Sequence, residues 1–139
     1  MSAPTPTGAE IIRQWLKTSP FVGYLSIELV AQEPGTATLR LPYDKTVTTI
    51  GTVVHGGAIA TLLDSAGAAA AWSDAEVPAN IRGTTVSLSV SYLAAADDED
   101  VLATARVLSR GRSLVYLDID ATTASGKAVA KGLATYKIG

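Results

Sequence analysis

The chain is 139 residues long, the size of one domain, and its 47% apolar and 17% charged residues fit a globular protein with one core and exclude intrinsic disorder. Net charge is -2, and the 11 basic residues gather into no patch or stripe, which argues against a nucleic-acid partner. Cysteine is absent and His55 is the single histidine, so disulfides, thiol nucleophiles and histidine-cluster metal sites are excluded, and no metal is expected.

Residues 1–7 are small, polar and proline-containing and are expected to form a disordered tail; they carry no basic leader pattern. No apolar run reaches membrane-spanning length, so no membrane partner and a cytoplasmic location are expected. Residues 8–139 read as a single domain. Ile11, Ile12, Trp15 and Leu16 share one side of a short helix over residues 8–18, which Pro20 ends. From Tyr24 to Gln32, Leu25, Ile27, Leu29 and Ala31 alternate with polar neighbours; Pro34-Gly35 makes a turn, and Ala37, Leu39 and Leu41 resume the alternation. This predicts a hairpin.

Residues 43–54 show no clear period. The stretch from Gly56 to Ser73 is rich in Ala, Leu and Gly and apolar nearly all round, the pattern of a helix buried on every side. Four period-two segments follow: Thr85–Tyr92, Val101–Leu108, Leu114–Thr122 and Ala128–Tyr136. In the first, hydroxyl and apolar residues alternate, which places Thr85 on one face with Ser87, Ser89 and Ser91. Short turns, Ser109-Arg110-Gly111-Arg112 and Ala124-Ser125-Gly126, suit antiparallel connections. The order predicts an α+β fold in which an antiparallel sheet of about six strands wraps around a long central helix, with a short N-terminal helix beside it.

Three chemical features meet between Gly51 and Asp64. Gly56-Gly57 opens the long helix, where backbone N–H groups lack intrahelical acceptors, the dipole end is positive, and missing side chains admit a ligand oxygen. Asp64 is the one charged residue in an apolar helix, and a carboxylate in such surroundings is costly unless paired or used. His55 precedes the glycines and can donate to a carbonyl or hold the loop through backbone bonds. Gly57 and Asp64 are seven residues apart, roughly 10 Å of helical rise. One substrate carbonyl cannot meet both within a subunit, so joint use requires a second copy across a two-fold axis. Small residues such as Ala60, Ala66 and Gly67 would permit a partner helix or suit packing against the chain's own sheet.

On His55-Gly56-Gly57, Asp64 nine positions after the His, Val90-Ser91-Tyr92-Leu93 and Gly111-Arg112, residues 20–138 resemble the hotdog-fold thioesterases of the phenylacetate-degradation (PaaI-like) type, related to one branch of 4-hydroxybenzoyl-CoA thioesterases. The resemblance implies hydrolysis of an acyl-CoA without a cofactor, by a homodimer that assembles into a homotetramer. It assigns carbonyl polarisation to the Gly56 N–H, with Gly57 beside it, and water activation or direct attack to Asp64 of the other subunit. His55 takes a supporting role, and Thr85 stands where relatives place a Ser or Thr that holds water. Family members often carry an Asn before the loop; here Thr48-Thr49-Ile50-Gly51 stands there, one residue longer, and Thr49 becomes a substrate-binding candidate. Arg110 and Arg112 are the candidates for the CoA phosphates. Two rivals bear on this reading. Hydratases of the same fold place Asp before His, the reverse of this chain. A non-catalytic acyl-CoA binding module would keep the glycines and the apolar slot but has no need of Asp64.

Overall fold

Thr7 and Glu10 open the first helix. The Thr7 hydroxyl accepts from the Glu10 N–H at 3.1 Å and the Glu10 carboxylate accepts from the Thr7 N–H at 3.2 Å, a reciprocal cap that starts α1, Gly8–Thr18. The computed structural model describes residues 4–139; Met1–Ala3 of the expected tail lie outside the described residues, and Pro4–Pro6 have no regular structure.

Pro20 does end α1, but it also stands at the first position of a second short helix, α2, Pro20–Tyr24, where a missing N–H costs nothing. The strand expected from Tyr24 therefore begins later. Ser26 turns the chain with φ 59°, and β1 runs Glu28–Glu33. Gly35, at φ +81°, supplies the left-handed turn into β2, Thr36–Leu41. After a 3-10 turn at Lys45–Val47 and an irregular loop comes α3, Gly56–Ser73, with the bounds its composition predicts. Then follow β3, Gly83–Tyr92; β4, Val101–Arg110; β5, Leu114–Thr123; and β6, Ala128–Ile138.

All pairings are antiparallel, in the order β1-β2-β4-β5-β6-β3, so β1 and β3 are the two edges. The helix α3 packs against every strand, which is the hotdog arrangement. Its Leu62, Leu63, Ala66 and Ala69 are fully buried with Leu39, Leu117, Ile119 and Val129 of the sheet. Burying a Leu or Ile side chain in this way contributes about 1.5–3 kcal/mol each. Helix and sheet touch closely, for a Cβ at Gly132 of β6 would stand 2.9 Å from Leu63 Cδ2.

Two local features depart from the sequence expectation. Arg110 belongs to β4 and not to a turn, because a register shift between Val107 and Ser109 carries pairing on to Arg110↔Val115. In β3, pairing passes from Thr85↔Tyr136 to Ser87↔Thr135, leaving Val86 as an extra residue. That bulge turns Thr85 onto the inner face with buried Tyr136, while Ser87, Ser89 and Ser91 stay exposed on the outer one. Among the described residues no helix is long and apolar enough to cross a membrane, and no three His, Asp or Glu side chains converge as a metal site.

Candidate active site

The N-terminus of α3 is built around His55. Its backbone carbonyl accepts from the Ala58 and Ile59 N–H groups, and its Nδ1 accepts from the Gly57 N–H at 2.8 Å. A ring accepting at Nδ1 carries its proton on Nε2, so the outward nitrogen of His55 is a donor. The His55 N–H is tied to the Val47 carbonyl at 2.7 Å, which fixes the loop before the helix. Because His55 occupies the Gly57 N–H, the two glycines differ: among the described residues the Gly56 N–H has no acceptor, and it points from the positive end of α3.

Tyr92, at the far end of β3, closes over Gly56. Its hydroxyl donates to the Gly56 carbonyl at 2.6 Å, and a Cβ at position 56 would stand 3.4 Å from its ring. The sequence motif included Tyr92 without giving it this contact. Beside the loop, Phe21, Leu25, Thr48, His55 and Gly57 line an open cleft of about 320 Å³. Thr48 lines it, and Thr49 does not; the Thr49 N–H pairs with the Val53 carbonyl at 2.9 Å in an exposed loop.

Two turns along α3, Asp64 is half-buried and Thr85 donates to its Oδ1 at 2.7 Å. This bond exists because of the Val86 bulge, and among the described residues Oδ2 has no partner. Tyr136, across the sheet from Thr85, accepts from Trp72 Nε1 at 3.0 Å. Burial holds the Tyr136 phenol above its ordinary pKa, against the Trp72 bond, and the nearby Asp64 charge adds to the rise. The hydroxyl is therefore neutral and keeps its proton.

The structure does not join these groups within one chain. Gly56 and Asp64 lie eight residues apart on a continuous helix, roughly 12 Å of rise. Gly57, Ala60, Thr61 and Asp64 form a stripe of α3 left exposed or half-buried beside edge strand β3. Ala66 and Gly67, by contrast, are buried, and a Cβ at Gly67 would stand 3.3 Å from Ile119 Cδ1 of the chain's own sheet. Of the small residues suited to a partner helix, only Ala60 faces outward.

Arg110 and Arg112 part company as well. The Arg110 Nη2 donates to the Ala71 carbonyl at 2.9 Å and to Asp74 Oδ1 at 2.5 Å, closing the C-terminal end of α3. Arg112 is exposed in the β4–β5 turn.

Comparison with known proteins gives this geometry a family. Residues 51–130 match the model of the Thioesterase superfamily. The acyl-coenzyme A thioesterase 13 of Homo sapiens is 30% identical across 100% of this chain and 99% of its own. The crystal structure of a thioesterase family protein from Silicibacter pomeroyi superposes with a TM-score of 0.86 at 29% identity, over 94% of this chain and 97% of that one. The PaaI protein of the E. coli phenylacetic acid degradation operon shares the fold, with a TM-score of 0.80 at 17% identity, over 95% and 94% of the two chains. The chain belongs to the thioesterase superfamily, an enzyme class that hydrolyses thioesters.

Proposed function

We infer that the protein hydrolyses an acyl-CoA thioester to the free acid and CoA at a site shared by two copies of the chain. Asp64 and Thr85 come from one copy, His55 and Gly56 from the other. The observation that carries this reading is the Asp64–Thr85 bond, which holds one oxygen of a half-buried carboxylate and, among the described residues, leaves the other without a partner.

The strand β3 explains how the halves meet. Thr85 lies near its start beside Asp64, and Tyr92 lies at its end over Gly56. If two β3 edges pair antiparallel about a two-fold axis midway between these residues, Thr85 of each chain comes beside Tyr92 of the other. The exposed stripes of the two α3 helices then cover one another, and two identical sites form. On the outer sheet face, exposed Leu108, Tyr116 and Leu133 favour a further pairing of dimers into a tetramer.

In such a site the thioester carbonyl accepts from the Gly56 N–H, with the His55 Nε2–H beside it. Asp64 takes a proton from water, and the hydroxide adds to the carbonyl carbon. The oxyanion rests on the Gly56 N–H until the C–S bond breaks, and the CoA thiolate leaves with the proton that Asp64 returns. Arg112, the exposed cation of the β4–β5 turn, is the group that meets a CoA phosphate. The relative that is an acyl-coenzyme A thioesterase supports CoA as the leaving group. Release of free thiol from a panel of acyl-CoAs tests the reading; an Asp64→Asn chain that is folded and turns over at the native rate would remove Asp64 from the mechanism.

A further inference from the structure

Of the two edges of the sheet, β3 carries the proposed pairing and β1 stays open. An edge strand presents backbone N–H and C=O groups along one side, a ready template for another chain. Outside the ladder with β2, no backbone hydrogen bond reaches Glu28–Glu33 among the described residues. The register shift between Leu29 and Ala31 puts a bulge in the middle of β1, which interrupts long edge-to-edge pairing between copies of the chain. The run that remains open is short and lies at the start of the strand.

That run is one wall of a groove. Ile27, Glu28 and Leu29 line an open space of about 320 Å³ together with Arg13, Leu16 and Lys17 of α1. Ile27 is buried, and Leu16 and Leu29 are half-buried. The charges around it do not balance. Glu28 is already paired with Arg40 at 3.0 Å, and Glu10, one turn before Arg13, is committed to the Thr7 cap. Arg13 and Lys17 are exposed and, among the described residues, make no ion pair. The two cations are four residues apart on α1, about 6 Å of helical rise. Side chains on one face of a strand are two residues apart, about 6.8 Å. A strand lying along the groove can therefore set carboxylates at alternate positions against both cations.

We propose that the groove between α1 and β1 docks a short, extended, acidic segment of another protein, which adds to the β1 edge through its backbone and meets Arg13 and Lys17 with carboxylates at alternate positions. The ladder with β1 supplies the affinity, and the two cations select acidic sequences. The apolar walls of Leu16, Ile27 and Leu29 lower the local dielectric and strengthen the ion pairs. Docking here is independent of Asp64 and leaves the β3 edge open.

Fluorescence anisotropy of a labelled peptide of alternating glutamate and valine, titrated with the full chain, tests this. Saturable binding is expected, weakened by added salt and lost when the glutamates are replaced by lysine. The lysine peptide tests the charge requirement on the unaltered chain. Arg13→Gln together with Lys17→Gln should weaken binding about tenfold, the scale of two exposed ion pairs, and leave thioester turnover unchanged. A peptide with proline at every second position cannot form the ladder and should not bind. Amide exchange in β1 should slow when the glutamate peptide is bound. Failure of that peptide to bind, binding that survives the double substitution or the proline replacement, or protection confined to amides outside β1 would overturn the proposal. Decanoate binding that depends on Arg13 and Lys17, with no peptide binding, would mark the groove as a site for amphipathic anions and equally overturn strand addition.

Discussion

In the proposed mechanism Asp64 works with one oxygen held by Thr85 and the other uncommitted, so the two residues should fail differently when replaced. Asp64→Asn removes the base and should lower kcat by about 10²-fold or more, the range for general acid–base groups. Thr85→Val leaves the base but frees its carboxylate, and loss of a hydrogen bond to a charged group, about 1.5 kcal/mol at the low end, corresponds to a loss of about tenfold. Steady-state kinetics of folded variants separates them, and equal losses would contradict the assigned roles. His55→Ala should reduce kcat less than Asp64→Asn does, since His55 touches the loop and not the attacking water. It should also lower stability by about 1 kcal/mol through loss of the helix cap, read by thermal unfolding. At this scale the candidates Asp64, Gly56 and His55 were legible from residue type and spacing. Thr85 was legible as a candidate but not its orientation: the period-two pattern puts it among the outward serines, and only the bulge at Val86 turns it inward. A bulge is decided by pairing with β6, which no local pattern in β3 records.

Among the elements, α3 was read to its last residue because its composition, glycine start and His cap agree. The strand expected from Tyr24 was misread for the opposite reason, as Leu25 and Ile27 are buried from a turn, where alternation arises without a strand. Arg110 was read as a turn residue free to meet a phosphate. Its bonds to Ala71 and Asp74 instead tie β4 to the end of α3, where a cation also opposes the helix dipole. Arg110→Ala should therefore lower the melting temperature with little change in KM, while Arg112→Ala should raise KM for CoA esters and spare pantetheine esters that lack the nucleotide. The reverse pattern would restore Arg110 as the phosphate ligand.

A second tie runs across β4, β5 and β6, where Arg106 and Lys131 flank Asp118 and Asp120. Bonds from Lys131 and then Arg106 hold the Asp120 carboxyl below its ordinary range. A depressed carboxylate stabilises above its unfolded value and loses that contribution as pH falls through the folded one, below about pH 4. The pair is largely exposed, so Asp120→Asn should cost less than about 1 kcal/mol at pH 7, and urea unfolding should show the difference fading at pH 3 and in high salt.

At the scale of the whole molecule, the proposed function divides the site between two ends of β3, an unpaired edge of the sheet. Asp64 with Thr85 stands near one end of β3, and Gly56 under Tyr92 stands at the other, with an uncovered stripe of α3 between them. The sequence spacing calls for a second copy if Gly56 and Asp64 serve one reaction. In the proposed dimer the second copy attaches at β3, an edge strand of the sheet. The most direct test mixes an Asp64→Asn chain with a Gly56→Pro chain, whose first helical position tolerates proline but loses the N–H that polarises the carbonyl. Each mutant homodimer is expected to be inactive, whereas purified heterodimers should recover one intact site and about half the wild-type activity per dimer, as one of two equivalent sites is whole. Heterodimers that show no recovery would contradict the shared site.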